Sequence, residues 1–232
     1  MNFVNNFGRV LILAAHADDE TLGCGGTISK LISEGLSCHI HIVTGIGEST
    51  HPIFTKQKIE NIREEFKKAI KHIGSPKFSF GNLPAAMLND ISTYKINKEV
   101  KDILEKSNPN TIFMPSRNDL HLDHKIINYA LKVAARPYLK NNQNLKSIIE
   151  YEVPSETNIY SENPYDIFTP NLYIDISNFI EYKLKAFAEY KSQIQEFNQP
   201  RSLEGIKTLA SYRGINIGVK FAESFNIIFK RV

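Results

Sequence analysis

The stretch Val10-Leu-Ile-Leu-Ala-Ala-His-Ala-Asp-Asp-Glu20 joins a short apolar run to a dense group of polar residues. A continuous apolar run of this length is typical of a strand that is buried on both faces of a parallel sheet. Residues 21–33 then show the apolar spacing of a helix, and Gly35 follows as a stop signal. The stretch therefore predicts a buried strand that ends in a polar turn and leads directly into a helix.

The same alternation of strand and helix continues through most of the chain. Further strands are predicted at residues 38–44, 77–80 and 111–114, and further helices at residues 55–73, 96–106 and 122–135. Strands and helices that alternate at this spacing favour right-handed βαβ units. We therefore expect the α/β class, with a Rossmann-like, mostly parallel sheet and helices on both of its faces.

The last third of the chain has a different pattern. Strands are expected at residues 147–153 and 172–176 around a loop rich in Pro, Asn and Ser, and helices follow from Asn178 and from about Leu203. No internal repeat, low-complexity tract or shift in composition marks a second domain. A length of 232 residues fits one domain with a substantial core, so residues 1–232 are expected to form a single domain.

The composition excludes several classes of function. A net charge of +3 is too small to indicate a nucleic-acid or anionic membrane surface. No stretch reaches the roughly 18–20 apolar residues of a membrane span, and the run after Arg9 lacks the features of a signal peptide. We therefore expect a cytoplasmic protein without stable membrane insertion. Two cysteines are too few for a Cys₄ zinc ribbon or a disulfide scaffold, so any metal would be bound mainly by His, Asp and Glu.

The polar residues His16, Asp18, Asp19 and Glu20 directly follow the first predicted strand. Ligands of open α/β sheets bind outside the carboxyl ends of the strands, so this turn lies at the expected active edge. Neighbouring carboxylates raise each other's pKa unless a positive charge compensates, and a divalent metal is the simplest compensator. The alternative interpretation is an acidic turn that only caps the next helix.

The glycines of Leu22-Gly-Cys-Gly-Gly26 raise a dinucleotide-binding loop as a rival interpretation. Their pattern is not Gly-x-Gly-x-x-Gly, and they follow the acidic residues rather than the strand. Carboxylates at the helix N-terminus would also repel a pyrophosphate. We therefore expect these glycines to let the backbone pass close to the sheet or to a substrate.

A second polar cluster, Asn118-Asp-Leu-His-Leu-Asp-His124, follows the predicted strand at residues 111–114. His121 and His124 lie near one face if a helix begins between them, and Asp123 is suited to orient an imidazole through its ring N–H. Both clusters fall at carboxyl ends of strands, and together they supply the ligands of a catalytic zinc site with an open position. The other histidines are expected to be structural or surface residues: His39, His41, His51 and His72.

Ala15-His-Ala-Asp-Asp-Glu20 and His121-Leu-Asp-His124 resemble the AHPDDE and HxDH motifs of the PIG-L/LmbE-like N-acetylglucosamine deacetylase family. The resemblance extends over nearly the whole chain. It includes Glu20-Thr-Leu-Gly-Cys-Gly-Gly26, Arg63-Glu-Glu-Phe66, Arg201-Ser-Leu-Glu-Gly205, Tyr212-Arg-Gly214 and Ala222-Glu-Ser-Phe225. The tail is most similar to a bacterial subgroup tied to surface-polysaccharide or modified-sugar pathways. The resemblance implies the family's three-layer αβα fold.

The resemblance also implies that His16, Asp19 and His124 bind zinc, and the same ligands accept Fe²⁺ or Co²⁺. Zinc would polarise an amide carbonyl and lower the pKa of a bound water to about 7. Ala17 replaces the family's usual proline, which makes the turn less rigid. The stretch Gly81-Asn-Leu-Pro-Ala-Ala-Met87 lacks the acidic residue that often follows the family's third strand, so substrate contacts are expected to differ.

The resemblance further implies that Asp18 is the general base. His121, oriented and kept positively charged by Asp123, would stabilise the oxyanion or protonate the leaving amine. Arg63 and Arg117 are candidates to bind a sugar hydroxyl or phosphate, with a surface role as the alternative for each.

The expected activity is zinc-dependent hydrolysis of the acetamide of a small N-acetylated amino sugar, free or nucleotide-linked, to acetate and a free amine. The alternative is a metal-dependent amidase or esterase that acts on a non-sugar acylated metabolite. Two further alternatives are less well supported. A nucleotide-binding protein without hydrolytic activity conflicts with the acidic turn after the first strand. A catalytically inactive member of the family conflicts with the presence of both polar motifs. Glu152 and Glu223 are weaker site candidates. No nucleic-acid partner is expected, and a homo-oligomer is compatible with the sequence.

Overall fold

The computed structural model describes residues 7–48, 50–160 and 167–232. Its strands are β1 (Val10–Ala14), β2 (Cys38–Gly45), β3 (Lys77–Pro84), β4 (Thr111–Pro115), β5 (Ser147–Tyr151), β6 (Leu172–Asp175) and β7 (Ala222–Lys230). Its helices are α1 (Asp19–Ser33), α2 (Lys56–His72), α3 (Thr93–Ser107), α4 (Leu122–Ala134), α5 (Ile180–Ala188) and α6 (Leu203–Ile215). The start of the N-terminal segment and part of the Pro/Asn/Ser-rich loop discussed above lie outside the described residues. None of the described helices is both long and apolar enough to cross a membrane.

The strands of the described residues form one sheet in the order β3-β2-β1-β4-β5-β7-β6. Neighbours among the first five strands of this order are parallel, whereas β7 runs antiparallel to both β5 and β6. The predicted α/β class with a mostly parallel sheet is confirmed. The sequence interpretation missed β7, which inserts between β5 and β6 although it is the last strand of the chain.

Helices cover both faces of the sheet, as predicted. One core packs against α1, α2, α5 and α6, and the other packs against α3 and α4. Residues of β1 alternate between the two cores, with Val10, Ile12 and Ala14 in the first and Leu11 and Leu13 in the second. Because both faces of β1 are covered, every position of the strand is apolar.

Two glycines let α1 pack closely against its neighbours. A Cβ on Gly23 would lie 2.3 Å from the ring of Tyr151, and a Cβ on Gly26 would lie 2.7 Å from Ile176. Any side chain at these positions would displace a core residue. The interpretation of these glycines as close-packing residues is therefore confirmed.

The order of the strands brings the two polar clusters together. β1 and β4 are adjacent and parallel, so their carboxyl ends lie at the same edge of the sheet. α1 begins at Asp19, two residues before the predicted start, and its first turn carries Asp19 and Glu20. α4 begins at Leu122 with His121 as its N-cap residue.

Candidate active site

The turn between β1 and α1 holds Asp18 in an unusual backbone conformation. Its φ of 139° and ψ of −29° lie in a region that residues with a Cβ rarely adopt, at a cost on the order of 1–3 kcal/mol. The Asp18 N–H donates to Glu20 Oε2 at 3.1 Å. The Asp18 carbonyl accepts hydrogen bonds from the N–H groups of Thr21 and Leu22 at 3.0 and 2.9 Å. Such strain persists only where the surrounding contacts hold it, and it concentrates at functional sites.

Three side-chain atoms at the carboxyl ends of β1 and β4 form a triangle, which we call the donor triangle. His16 Nδ1 lies 3.5 Å from Asp19 Oδ2, and His124 Nε2 lies 3.2 Å from the same oxygen. The two ring nitrogens are 3.4 Å apart. Ligand atoms that bind one metal ion tetrahedrally at about 2.0–2.1 Å are separated by about 3.3–3.4 Å. The donor triangle therefore fits a single metal ion with one position open.

Each imidazole of the donor triangle is held on its outer nitrogen by a further carboxylate. His16 Nε2 donates to Asp123 Oδ2 at 2.9 Å, and His124 Nδ1 donates to Asp119 Oδ2 at 2.7 Å. Asp119 also accepts a hydrogen bond from the hydroxyl of Thr157. Carboxylate–imidazole pairs of this kind fix the tautomer and the orientation of metal-binding histidines. Asp119 lies within the second sequence cluster but was not singled out there.

The predicted pairing of Asp123 with His121 is wrong. The carboxylate of Asp123 accepts hydrogen bonds from His16 and from the backbone N–H groups of Ala86 and Leu88, the latter two at 2.6 and 3.2 Å. Only the backbone of Asp123 meets His121, since its N–H donates to His121 Nδ1 at 3.1 Å. His121 is the N-cap residue of α4. The side chain of Asp123, in the first turn of α4, instead contacts His16 at the end of β1.

His121 adds a third imidazole, and nitrogens of His16, His121 and His124 all lie within 4.8 Å of one another. Burial, together with the charges of His16 and His124, lowers the pKa of His121 to about 4. This shift favours the neutral form of His121, and the positive charge that the sequence resemblance implied for it stays a prediction. A neutral ring whose Nδ1 accepts a hydrogen bond carries its proton on Nε2, so His121 offers an N–H donor to the site.

The charged groups of the donor triangle shift one another's pKa values in opposite directions. Burial opposes protonation of His16, but its hydrogen bonds to Asp123 and Asp19 raise its pKa to about 9. Burial is likewise outweighed at His124, whose pKa is raised well above 6.5 by Asp19 and Asp119. Against its own burial, the pKa of Asp19 is lowered by His124 and His16. The cluster thus favours a cation between these groups.

A cavity of about 250 Å³ opens beside the donor triangle. His16, Asp18, Asp19, His121 and His124 all line it. The structure therefore brings together the predicted ligands, the predicted base and His121. Asp123 lies behind His16.

Arg63 lies in the wall of the same cavity. One of its Nη atoms donates to the carbonyl of Gly81 at 2.6 Å, and its guanidinium lies 4.7 Å from the centre of the Phe80 ring. These contacts hold the arginine at the cavity wall, within the site that the sequence predicted for it.

Arg117 is exposed and lies elsewhere. It lines a separate depression together with Lys132, Arg136 and Glu150, beside β5 and β7. The structure therefore places Arg117 outside the lining of the cavity beside the donor triangle, and does not bring this predicted substrate-binding residue to the site.

Arg201 is a cavity residue that the sequence indicated only as part of a tail segment. Its Nη1 lies 3.6 Å from Asp18 Oδ2, and its buried Nε has no hydrogen-bond partner among the described residues. Burial and the charge of Asp19 raise the pKa of Asp18, and Arg201 counteracts them. Nothing local in the sequence links Arg201 to a turn near the N-terminus, so only the fold reveals this contact.

The remaining candidates have structural partners. Glu152 forms an ion pair with Arg213 at 2.6 Å, and Glu223 forms one with Lys183 at 2.6 Å. Hydrogen bonds occupy the other four histidines: His39 and His41 with Ser79, His51 with Ala85, and His72 with Glu189. Their expected structural or surface roles agree with these contacts.

The fold and the donor triangle define an α/β protein with a candidate single-metal site at the carboxyl ends of two parallel strands. The family model described as "PIG-L: GlcNAc-PI de-N-acetylase" matches residues 11–135. This range is more than half of the chain and contains the whole donor triangle. The chain belongs to the PIG-L family, as the sequence resemblance implied.

Individual relatives extend the likeness over almost the full chain. The diacetylchitobiose deacetylase of Thermococcus kodakarensis is 24% identical over 238 residues, which cover 97% of this chain and 84% of the relative. The structure of N,N'-diacetylchitobiose deacetylase from Pyrococcus horikoshii with its inhibitor MPG has a TM-score of 0.75 at 23% identity and covers 98% of this chain and 86% of that chain. GalB, the 4-carboxy-2-hydroxymuconate hydratase of Pseudomonas putida, has a TM-score of 0.72 at 18% identity, with 97% and 98% covered. These structures establish a shared fold, and GalB shows that the fold alone does not fix the reaction.

Proposed function

We propose that the protein is a zinc-dependent N-deacetylase of a small N-acetylated amino sugar. The substrate is free or nucleotide-linked and belongs to a surface-polysaccharide or modified-sugar pathway, and the products are acetate and a free amine. Membership of the PIG-L family and the deacetylase relatives support the deacetylase class. We also propose one domain over residues 1–232, because strands from residue 10 to residue 230 join one sheet. The cytoplasmic location stays a prediction.

One observation carries this proposal. The donor triangle has the edge lengths of a tetrahedral metal site, and the carboxylate of Asp18 lines the same cavity. Two imidazoles and a carboxylate with an open fourth position are the protein ligands expected of a catalytic zinc ion. His16, Asp19 and His124 would hold the metal. When bound there, the metal supplies an acid that polarises the amide carbonyl and activates water at neutral pH.

The side chains around the triangle have separate tasks in this proposal. Asp18 accepts the proton of the attacking water and then returns it to the departing amine. His121 donates from Nε2 to the oxygen that becomes negatively charged at the acetyl carbon. Asp123 keeps the imidazole of His16 oriented towards the metal. The positive charge of Arg201, which lies next to Asp18, counteracts the rise in the pKa of this base.

Arg63 is proposed to bind a hydroxyl or phosphate group of the sugar from the cavity wall. Arg63→Ala is expected to raise KM about tenfold with a smaller change in kcat, since a uniform binding contact acts mainly on KM. Arg117→Ala serves as the matched control, because its arginine lines a different depression and its KM should stay at the wild-type value. Equal KM values for the two variants would remove Arg63 from the substrate site.

The test of the function is a panel of N-acetyl sugars, nucleotide-linked N-acetyl sugars and acylated non-sugar metabolites. Release of acetate is measured with the purified protein, after removal of metal by a chelator, and after return of Zn²⁺, Fe²⁺ or Co²⁺. The Asp18→Asn variant, which keeps all three ligands, controls for contaminating activity. We expect turnover of an N-acetyl sugar that is lost with chelator, returns with metal and is absent in Asp18→Asn. Turnover confined to the non-sugar compounds would instead support the amidase or esterase alternative.

A further inference from the structure

Among the residues that the structure describes, one side chain supports the strained backbone of Asp18. The Asp18 N–H donates to Glu20 Oε2 at 3.1 Å, while its carbonyl is bound only by the first turn of α1. Asp18 is the N-cap residue of α1, yet its side chain makes no capping hydrogen bond. The carboxylate of Asp18 lines the cavity instead, and Glu20 binds the N–H of the N-cap residue itself, which resembles the reciprocal contact of a capping box.

Glu20 is fixed by two hydroxyl groups. Its Oε1 accepts from Thr21 Oγ1 at 2.6 Å and from the hydroxyl of Tyr190 at 2.5 Å. Glu20, Thr21 and Tyr190 are fully buried, at 0% exposure each. A buried carboxylate held by two hydroxyl donors and one N–H has little freedom to shift. Hydrogen bonds through Glu20 thus connect the Asp18 backbone to Tyr190, which lies far away in the chain.

Tyr190 also anchors the segment that forms part of the cavity wall. We call residues 191–201, between α5 and α6, the strap. The carbonyl of Tyr190 accepts from the N–H groups of Gln193 and Ile194 at 2.9 Å each, and Ser192, Gln193 and Arg201 of the strap line the cavity. One tyrosine therefore joins the turn that carries the proposed base to the strap that carries Arg201.

We propose that Tyr190 and Glu20 are positioning residues that hold Asp18 in its strained conformation and keep its carboxylate in register with the donor triangle. This inference rests on the proposed function, since it assigns Asp18 the role of base. The hydroxyl of Tyr190 acts through Glu20 and touches neither the metal ligands nor the cavity. Its removal is expected to change the rate of the chemical step and to leave metal and substrate binding in place.

A second tyrosine provides a matched control. Tyr151 is also fully buried, and its hydroxyl donates to the carbonyl of Leu13 in β1 at 3.0 Å. Tyr151→Phe and Tyr190→Phe each remove one buried hydroxyl near the carboxyl end of β1. Only Tyr190→Phe removes a contact that leads to the Asp18 backbone.

The experiment compares kcat, KM and metal affinity of the two variants. For Tyr190→Phe we expect kcat to fall about ten- to a hundredfold, as a small misplacement of a reacting group does, with KM and zinc affinity unchanged. For Tyr151→Phe we expect an unchanged kcat even if the melting temperature falls by the same amount. Equal kcat values in both variants would overturn the proposal, because Tyr190 would then have only a structural role.

A milder variant covers the case in which Tyr190→Phe does not fold. Thr21→Val removes the other hydroxyl from Glu20 and keeps the volume of the side chain. We expect a smaller loss of kcat, again at constant KM and zinc affinity. The proposal would be contradicted if Thr21→Val had the kcat of the wild type while Tyr190→Phe either failed to fold or also had the kcat of the wild type.

A measurement that needs no substrate separates this inference from the proposed function. Hydrogen exchange of the Asp18 amide, followed by NMR, should accelerate in Tyr190→Phe relative to wild type and to Tyr151→Phe. Faster exchange in a protein that deacetylates no sugar would reject the function and keep the positioning contact. Unchanged exchange together with unchanged kcat in an active enzyme would reject the positioning contact and keep the function.

Discussion

Two buried groups of charges flank α1, and they differ in how their charges are satisfied. On one side Lys183 Nζ lies 2.6 Å from Glu223 Oε1 and also donates to the carbonyl of Leu22 at 2.7 Å. The other partners of Glu223 are the N–H groups of Gly26 and Thr27. On the other side lies the donor triangle, in which two ring nitrogens and a carboxylate oxygen face one another.

The difference distinguishes a structural site from a binding site. In the Lys183–Glu223 pair each charge meets its opposite, and the remaining lone pairs are taken by backbone groups. In the donor triangle the outer ring nitrogens are bound by Asp123 and Asp119. The inner ring nitrogens face each other and Asp19 Oδ2, an oxygen that also accepts a hydrogen bond from the backbone N–H of His16 at 2.7 Å. A buried cluster whose outward contacts are complete and whose inward atoms converge is arranged for a cation.

The largest expected effect follows from removing one corner of the triangle. His124→Ala should abolish zinc binding and reduce deacetylation to background, because only two convergent ligands remain. Metal content is measured by elemental analysis after gel filtration. His72→Ala is the control, since His72 also binds a carboxylate, Glu189, at 3.0 Å but lies away from the site. Full metal occupancy in His124→Ala would remove His124 from the ligands.

Loss of the Lys183–Glu223 ion pair is expected to lower the free energy of unfolding and to leave metal binding unchanged. Lys183→Met leaves Glu223 buried without its cation and should cost about 3–5 kcal/mol of unfolding free energy, as removal of one partner of a buried pair does. The affinity of the folded protein for zinc should stay the same. Urea unfolding and a zinc titration test the two statements.

A double variant completes this test. Lys183→Met with Glu223→Gln removes both charges and keeps one acceptor oxygen, so one of the backbone N–H groups of Gly26 and Thr27 keeps its partner and the other faces the amide NH2 group. Part of the lost stability should return, because no uncompensated charge remains. A tenfold loss of zinc affinity in either variant would contradict the separation between the two groups of charges.

The sequence predicted the α/β class of the fold and the residues that the structure brings together in the donor triangle. The continuous apolar run of β1 and the polar turn after it predicted both a buried parallel strand and an active edge. The second cluster fell at the end of β4 for the same reason, and strand adjacency then brought His16 and His124 together. The strand β7 was missed because its partners are set by the whole sheet: it is antiparallel, and its Glu223 faces α1 rather than solvent.

The pairing of side chains could not be predicted from spacing. Asp123 stands between His121 and His124 in the sequence, yet its carboxylate contacts His16 from the other cluster. Arg201 and Tyr190 reach the first turn from the last third of the chain. Such contacts depend on the relative placement of α1, α4 and the segment after α5, for which short motifs carry no information.

The corrected partner of Asp123 gives a smaller but more specific prediction. Asp123→Asn should weaken zinc binding about 10- to 100-fold, because it loosens the orientation of His16. Asp119→Asn should have an effect of the same size through His124. If Asp123 instead oriented His121, as the sequence suggested, kcat would fall and zinc affinity would not. Zinc titration with a competing chelator distinguishes the two cases.

The protons held by the metal-free triangle give the smallest effect, a change of affinity with pH. The pKa of His16 is raised from 6.5 to about 9. The protonated ring therefore stabilises the metal-free fold fully below about pH 6.5, and this contribution is lost as the pH rises through about 9.

A metal ion must displace the same inner proton, so zinc affinity should rise over this window by about tenfold per pH unit for each proton released. We expect about one to two protons, because the pKa values of both His16 and His124 are raised, while their inner nitrogens lie 3.4 Å apart and repel each other when both are charged. Calorimetric titrations in buffers of different ionisation enthalpy count the protons directly. A constant zinc affinity between pH 7 and 9 would mean that the inner nitrogens carry no proton in this range. The donor triangle would then resemble the Lys183–Glu223 pair, because its charges would be satisfied without a metal.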